Sequence, residues 1–257
     1  MTPDLSFRPA PSVAPYRRML VRQAWIETVL QLRNGEQLLL TLVIPLVLLL
    51  VLGGTDVVDL AVGGDRTATA VAGVLTVAVM STAFTGLAIA TGFERRYGVL
   101  RRLAVTPLPR SALLLGKAGS VLVVEALQVV LVVGVGLALG WAGDARWPGV
   151  LLLVLLGTLA FAGLGLLMAG TLKAEATLAA ANLVYLVLLV AGGAVVPLER
   201  YPAALQPVVA ALPSGALGEG LRATVVVGDP APVASLVVLA IWAVLGVGLA
   251  ARYFRWE

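Results

Sequence analysis

The sequence contains no cysteine and no histidine. Without cysteine the chain has no disulfide framework, no thiolate nucleophile and no sulfur ligand for a metal. Without histidine it lacks the imidazole base that enzymes most often use and the commonest ligand of transition metals. These absences argue against a thiol transferase, a haem-binding subunit and the usual membrane hydrolases. A chemistry based on aspartate or glutamate stays open, but carboxylates are scarce inside the apolar segments. The sequence therefore predicts neither a catalytic residue nor a metal site, and the chain is not expected to be an enzyme.

Charged residues are scarce as well, because they make up 12% of the 257 residues while 60% are hydrophobic. A globular domain usually carries about a quarter charged residues, so a soluble fold is disfavoured. Aromatic residues amount to only 6%, and no alternating strand-like segments occur, which argues against an outer-membrane barrel. The composition predicts an all-α integral membrane protein.

The long apolar runs predict six transmembrane helices in one domain that covers residues 37–257. Each crossing of the hydrocarbon core, which is roughly 30 Å thick, needs about 20 apolar residues in a helix. Three glycines of the fourth span, Gly163, Gly165 and Gly170, are expected to allow close helix packing, with a dimer seam as one alternative. The six spans are expected at about residues 38–53, 69–93, 113–139, 148–172, 177–196 and 233–251.

The N-terminal region is polar and precedes the first apolar run. Residues 1–15 contain four prolines and predict a disordered cytoplasmic tail, and no cleavable signal peptide is expected. Residues 16–36 predict an amphipathic helix, which is either an ordinary cytoplasmic helix or a helix that lies in the membrane interface. The interface is favoured because the first span follows immediately. The apolar stripe comprises Val21, Trp25, Val29 and Leu32, and the opposing stripe comprises Gln23, Glu27, Gln31 and Asn34.

The basic residues are distributed unevenly between the loops on the two sides of the expected spans. Lysine and arginine in short loops are retained on the cytoplasmic side of a membrane. Of the 18 such residues, 14 lie in the N-terminal segment, the loops after spans two and four, and the C-terminal segment; the other four are Arg66, Arg146, Arg200 and Arg222. This predicts a multi-pass protein of the cytoplasmic membrane with both termini in the cytoplasm, which agrees with six spans. The net charge of +4 thus reflects topology, and no nucleic-acid partner is expected.

Two regions outside the spans stand out. The cytoplasmic residues 94–117 predict a short basic amphipathic helix that ends before Pro107, because the residue before a proline is pushed out of the helical region. Ser111 is expected to cap the helix that follows. The loop is interpreted either as a docking element for a partner or as an anchor that only fixes topology. Externally, residues 205–212 and 217–227 are apolar but too short to cross, which predicts a re-entrant or interfacial segment between spans five and six.

Few polar side chains lie inside the expected spans. Glu125 is the one acidic residue well inside a span, and Gln128 lies on the same helical face. A carboxylate there costs several kcal/mol unless it is paired, protonated or hydrated. Glu125 and Gln128 are therefore candidates for the substrate path, although a protonated glutamate bonded to a neighbouring helix is an alternative. Asn182 is a weaker candidate, for which a helix–helix hydrogen bond is favoured. The candidate residues of an outer gate, or equally of a structural turn, are Pro197, Pro202 and Pro213.

A family resemblance is carried by the two regions outside the spans. Residues 94–117 read E-R-R-Y-G-V-L-R-R-L-A-V-T-P-L-P-R followed by G-K, and they resemble the intracellular loop of type-2 ABC transporter permeases, which include the membrane subunits of daunorubicin-type drug exporters. Residues 192–213, G-G-A-V-V-P-L-E-R-Y-P-A-A-L-Q-P-V-V-A-A-L-P, resemble the same family's segment after span five. The likeness covers nearly the whole chain.

This resemblance implies a division of labour with other polypeptides. In the family, the interface helix and the first cytoplasmic loop dock on a separate ABC ATPase subunit, and the permease pairs with a second copy or a related permease. The present sequence has no G-x-x-x-x-G-K-[ST] phosphate loop, so ATP and Mg are expected on the partner and no cofactor on this chain. The coupling residues implied are Glu94, Arg95, Gly98, Leu100, Arg101, Leu103, Thr106, Pro107 and Arg110.

The leading hypothesis is a permease subunit of an ATP-driven exporter that moves an amphipathic drug, a lipid or a similar substrate. A polysaccharide-exporting permease is a less favoured variant of the same hypothesis. The alternative from another class is an autonomous secondary transporter or channel. That class predicts several intramembrane charges and paired broken helices, whereas this chain offers mainly Glu125.

Overall fold

The structure, a computed structural model, describes residues 13–54 and 65–255, and within these ranges it contains helices and no strand. Most of the predicted disordered tail, residues 1–12, lies outside the described residues. The helices are α1 (Tyr16–Arg33), α2 (Gly35–Gly54), α3 (Arg66–Val79), α4 (Leu87–Arg96), α5 (Val99–Ala104), α6 (Arg110–Ala138), α7 (Trp147–Thr171), α8 (Ala174–Ala191), α9 (Gln206–Ala211), α10 (Pro213–Arg222) and α11 (Val233–Tyr253). Two π-helical segments, Met80–Gly86 and Ala223–Val227, and a 3₁₀ turn, Leu198–Arg200, complete the described elements.

Among the residues that the structure describes, five helical stretches are long and apolar enough to cross a membrane. They are Arg66–Arg96, which joins α3, the first π segment and α4, together with α6, α7, α8 and α11. A sixth is added if α1 and α2, which are bent by 71° relative to each other, count as one span. The prediction of an all-α, multi-pass membrane protein is therefore confirmed, and the first predicted span corresponds to α2.

Both ends of the described chain lie at the same end of the helix bundle. Near the beginning, the Tyr16 hydroxyl donates a hydrogen bond to Ser111 at 3.2 Å. Near the end, the Arg255 N–H donates to the carbonyl of Gly170 at 3.2 Å. We call this end, which also carries the arginine-rich residues 95–110, the basic end. An even number of crossings brings the two ends of a chain to one side in this way.

The opposite end of the bundle carries the segments that follow α6 and α8. The Arg146 N–H there donates to the carbonyl of Thr224 at 3.0 Å, which ties the two segments together. Helix α8 ends at Ala191 and not at the predicted Val196, because Gly193 takes a left-handed φ of 72° that turns the chain out of the helix. Helix α10 is largely buried and packs against α3, α7 and α11.

Three glycines of α7 bring neighbouring backbones close together. A Cβ atom on Gly163 would lie 2.5 Å from the Val247 nitrogen of α11, and one on Gly165 would lie 2.8 Å from the Phe84 carbonyl oxygen. A Cβ on Gly170 would lie 2.9 Å from the Phe254 Cα. Each glycine is covered by a segment of its own chain. The alternative that these glycines form a dimer seam is therefore wrong, because their small faces are used inside the protomer.

Substitution of Gly163 with alanine is expected to lower the free energy of unfolding by about 1–3 kcal/mol, since an added methyl group in a packed contact forces the backbone apart. The measurement is denaturant unfolding of the purified protein in detergent micelles. Gly134→Ala is the matched control, because a Cβ atom at Gly134 meets nothing within 4 Å. Equal stability of the two variants would contradict the close contact between α7 and α11.

Candidate functional site

Helix α1 turns its polar stripe toward the protein and its apolar stripe outward. Gln23 and Glu27 are each only 8% exposed, whereas Val21 and Trp25 are 65% and 62% exposed. A helix on the surface of a soluble protein has the opposite arrangement. Apolar side chains that face outward beside a membrane-spanning bundle are typical of a helix at the membrane interface.

The polar stripe of α1 packs along the first turns of α6. Gly116 permits this approach, because a Cβ atom on it would lie 2.7 Å from the Gln23 Cγ. Further along, the Gln31 side-chain amide donates to the Ser120 hydroxyl at 3.1 Å. Ser111, which was predicted to cap α6, does not do so. Helix α6 begins at Arg110 after Pro109 with no side-chain cap, and the Ser111 hydroxyl instead accepts the hydrogen bond from Tyr16.

A cluster of three charged side chains joins α1, α4 and α6, with Lys117 and Glu27 buried and Glu94 partly exposed. Lys117 is 2% exposed, and its Nζ lies 3.0 Å from Glu27 Oε2 and 2.6 Å from Glu94 Oε2. The Gln23 amide donates to the other oxygen of Glu27 at 2.7 Å. A buried charge is tolerated when it is paired and its remaining hydrogen-bonding groups are satisfied. The cluster therefore stabilises the position of α1 relative to α4, the helix that leads into residues 95–110.

Sequence reasoning did not identify this cluster. Lys117 was counted only as a cytoplasmic charge at the end of a loop, and Glu94 was assigned to partner docking. In the structure the Glu94 carboxylate turns inward to Lys117. The position of Glu27 on the polar stripe of α1 indicated that it needs a partner, but the stripe does not say which one.

A cavity of about 360 Å³ extends from the cluster between α1, α2, α4, α6 and the first π segment. Its wall contains both polar and apolar side chains. The polar lining residues include Glu27, Gln31, Thr41, Ser81, Thr82, Glu94 and Lys117, and the apolar ones include Leu30, Leu38, Leu87, Phe93 and Val124.

The π segment Met80–Gly86 shapes the wall of this cavity. Such wide turns inside α-helices occur frequently at functional sites. The Thr82 hydroxyl donates to Gln128 Oε1 at 3.2 Å, and the Gln128 amide donates to the Thr41 carbonyl at 3.0 Å. Gln128, which was predicted for the substrate path, is 2% exposed and links α6 to α2 and to the π segment directly behind the cavity wall.

Glu125 faces a different helix from Gln128. It is 1% exposed, and its carboxyl group is hydrogen-bonded to the Thr158 hydroxyl of α7, which also donates to the Val154 carbonyl at 2.7 Å. The contact joins α6 to α7 in the interior of the bundle. Asn182 is exposed on α8 and donates to the Leu178 carbonyl of its own helix at 2.9 Å.

The predicted coupling residues divide into an inward and an outward group. Gly98, at φ 73°, turns the chain into α5, and Leu100 is fully buried beneath that helix. Arg95 donates to the Leu172 carbonyl, so it faces the bundle with Glu94 and Leu100. Leu103 is half-buried, and the exposed residues of the predicted set are Arg101, Thr106, Pro107 and Arg110. Sequence reasoning missed Val105, whose 87% exposure adds an apolar side chain to this outward surface.

The segment between α8 and α11 is held by a second ion pair, of which the arginine is buried and the glutamate partly exposed. Arg222 is 4% exposed, and its Nη2 lies 2.6 Å from Glu219 Oε1 and 3.0 Å from the Gly193 carbonyl oxygen. Glu219 also accepts the Leu198 N–H at 3.1 Å. The predicted gate prolines lie at separate points of this segment: Pro197 is buried before the 3₁₀ turn, Pro202 is exposed after it, and Pro213 begins α10.

Across residues 13–54 and 65–255, no group of three or more acidic side chains is placed to hold a metal ion. A family model described as "ABC-2 type transporter" matches residues 19–226, from α1 to the second π segment. Comparison with curated protein sequences gives no significant match.

Proposed function

The chain belongs to the ABC-2 type transporter family, and from this premise we propose that it is the membrane subunit of an exporter driven by a separate ATPase. The observation that carries the proposal is the family match, which includes the charged cluster, the cavity and residues 95–110. The sequence contains no phosphate-binding loop of its own, which supports a partner that supplies ATP and Mg. The weakly polar interiors of the spans favour an amphipathic drug or a lipid over an ion as the substrate.

Helix α5 and the residues after it are proposed to dock on this ATPase at the cytoplasmic face of the membrane. The outward surface combines basic Arg101 with apolar Val105, while Leu100 anchors the helix to the bundle. Anchoring makes α5 suitable for transmitting a push from a partner as a rigid body. Helix α4 connects α5 to the charged cluster and to the π segment. A push on α5 would therefore be transmitted to the cavity wall.

Helix α1 is proposed to lie in the inner leaflet as the interface helix, and the segment around α10 to be a re-entrant element on the external side. A second permease, identical or related, is proposed to pair with this chain. ATP-driven closure of the two ATPase subunits would then move the α5 surfaces and change access to the transport path from one side of the membrane to the other.

Co-purification with the ATPase tests the docking assignment. The double variant Arg101→Glu with Val105→Glu is expected to lower the recovery of the ATPase at least about tenfold, because both substitutions place negative charge on an apolar and basic contact surface. Both side chains are exposed in the protomer, so the fold of the permease is expected to be unaffected. Arg252→Glu, which reverses the charge of an exposed arginine in the last turn of α11, is the control for charge reversal away from this surface.

Unchanged recovery of the ATPase with the double variant would overturn the assignment of α5 as the docking surface. Loss of recovery with Arg252→Glu as well would show that net charge, and not this surface, governs the association.

A further inference from the structure

We propose that the cavity beside Lys117 binds the cationic head of an amphipathic substrate within a single protomer, with Glu27 and Glu94 as its counter-ions. This inference rests on the proposed transport function and names the substrate class of that same cavity.

The charges that line the cavity do not balance. Two carboxylates, Glu27 and Glu94, face the single ammonium group of Lys117. These three are the charged residues that line the cavity. When both carboxyl groups are ionised, the cluster has an excess of one negative charge in a site of reduced polarity. A ligand with one positive charge would neutralise this excess, whereas an anion would add to it.

The rest of the cavity suits the apolar body of such a ligand. Leu30, Leu38, Phe93 and Val124 line it, and a volume of about 360 Å³ falls within the range of small-molecule sites. The rings of Phe93 and Tyr97, which both line the cavity, are stacked with centroids 6.2 Å apart. Aromatic faces attract cations as well as apolar groups, so this pair fits the same ligand class.

The cavity opens beside the bend between α1 and α2. Leu30 and Tyr97 contribute to its lining and are nevertheless 61% and 69% exposed. The exposed side chains of α1 include apolar ones, among them Trp25 and Ile26, as well as Arg33 at the bend. The apolar ones would let an amphipathic cation dissolved in the inner leaflet approach this opening without first passing through a path between two protomers.

The test measures binding of a fluorescent probe to the purified chain in lipid nanodiscs, with fluorescence anisotropy as the readout. The probe is 4-(4-dimethylaminostyryl)-N-methylpyridinium, a small lipophilic cation. Its control is 4-(4-dimethylaminostyryl)pyridine, which lacks one methyl group and is neutral at a pH where its ring nitrogen is unprotonated. We expect the cation to bind at least about tenfold more tightly than the neutral compound, because only the cation meets the excess carboxylate.

Two single variants test the counter-ions. Glu94→Gln and Glu27→Gln are each expected to weaken binding of the cation about tenfold and to leave binding of the neutral compound unchanged. Each variant leaves Lys117 with one carboxylate, so both are expected to fold. Glu175→Gln is the matched control, because Glu175 is an exposed carboxylate that pairs with Arg96 near the same end of the bundle but does not line the cavity.

Equal binding of the cation and the neutral compound by the unmodified protein would overturn the inference without any variant. An equal loss with Glu175→Gln would also overturn it, since a general surface charge effect would then suffice. Competition by a two-chain lipid with a trimethylammonium head group, added to the nanodiscs, would identify a lipid as the source of the cation. Failure to compete would leave a soluble amphipath as the source.

The co-purification experiment separates failure of this inference from failure of the proposed function. If the ATPase still co-purifies but the cation is not preferred, the chain remains an exporter subunit and only the substrate class is wrong. If the ATPase does not associate but the cation is preferred, the cation site is supported and the proposed function as the subunit of an ATPase-driven exporter is wrong.

Discussion

Substitution of Lys117 with methionine is expected to lower the free energy of unfolding by about 3–5 kcal/mol, the cost of removing one member of a buried ion pair. Lys117 is 2% exposed and is paired with both Glu27 and Glu94. Methionine has a similar length and fills much of the same space, so the loss comes from the two carboxylates left without a counter-charge. Denaturant unfolding in detergent micelles measures the effect, and poor recovery of the variant in the membrane fraction is expected to accompany it.

Removal of the two carboxylates that lack a counter-charge in Lys117→Met is expected to restore much of this stability. The triple variant, which adds Glu27→Gln and Glu94→Gln to Lys117→Met, is expected to regain most of the lost free energy, because a cluster without charges has no unpaired ion to bury. Lys173→Met is the control for the loss of a lysine, since Lys173 is exposed in the loop after α7. A Lys117→Met variant that is as stable as the Lys173 variant would contradict the buried cluster.

Substitution of Arg222 with methionine is expected to lower the free energy of unfolding by about 2–4 kcal/mol, because it removes charge-assisted hydrogen bonds that are shielded from water. The guanidinium group joins Glu219 of its own helix to the Gly193 carbonyl at the turn after α8. Without it, α10 and this turn lose their polar connection. Unfolding in detergent micelles measures the loss of stability, and proteinase K cleavage between α8 and α11 measures the loosening of the segment.

Two further variants define the role of Arg222. Arg222→Lys is expected to recover only part of the stability, because a single ammonium does not reproduce the directed donors of a guanidinium group. Arg146→Met is the matched control, since Arg146 is an exposed arginine at the same end of the bundle. Equal protease resistance of the Arg222→Met and Arg146→Met variants would show that the ion pair does not hold the segment.

Much of the candidate site was recognisable before the structure, but not how its parts connect. The amphipathic pattern of residues 16–36 marked Glu27, and the loop motif marked Glu94 and placed Lys117 at its end. Their association depends on how α1 crosses α6, which Gly116 permits. Glu125 and Gln128 lie three residues apart on one helix, yet they bond to different helices. Spacing along a helix predicts a shared face but not the neighbour that each side chain meets.

Hydrophobicity and charge distribution by themselves indicated an all-α, multi-pass membrane protein, because a helix that crosses a bilayer needs a local run of apolar residues. The loop motif by itself indicated the ABC-2 transporter type. Tertiary structure alone decided which polar groups share a partner and where the cavity lies. It also decided that the glycines of α7 are used inside the protomer and that α8 ends at Ala191. These features depend on contacts between segments far apart in the chain, and such contacts form only when the helices pack against one another.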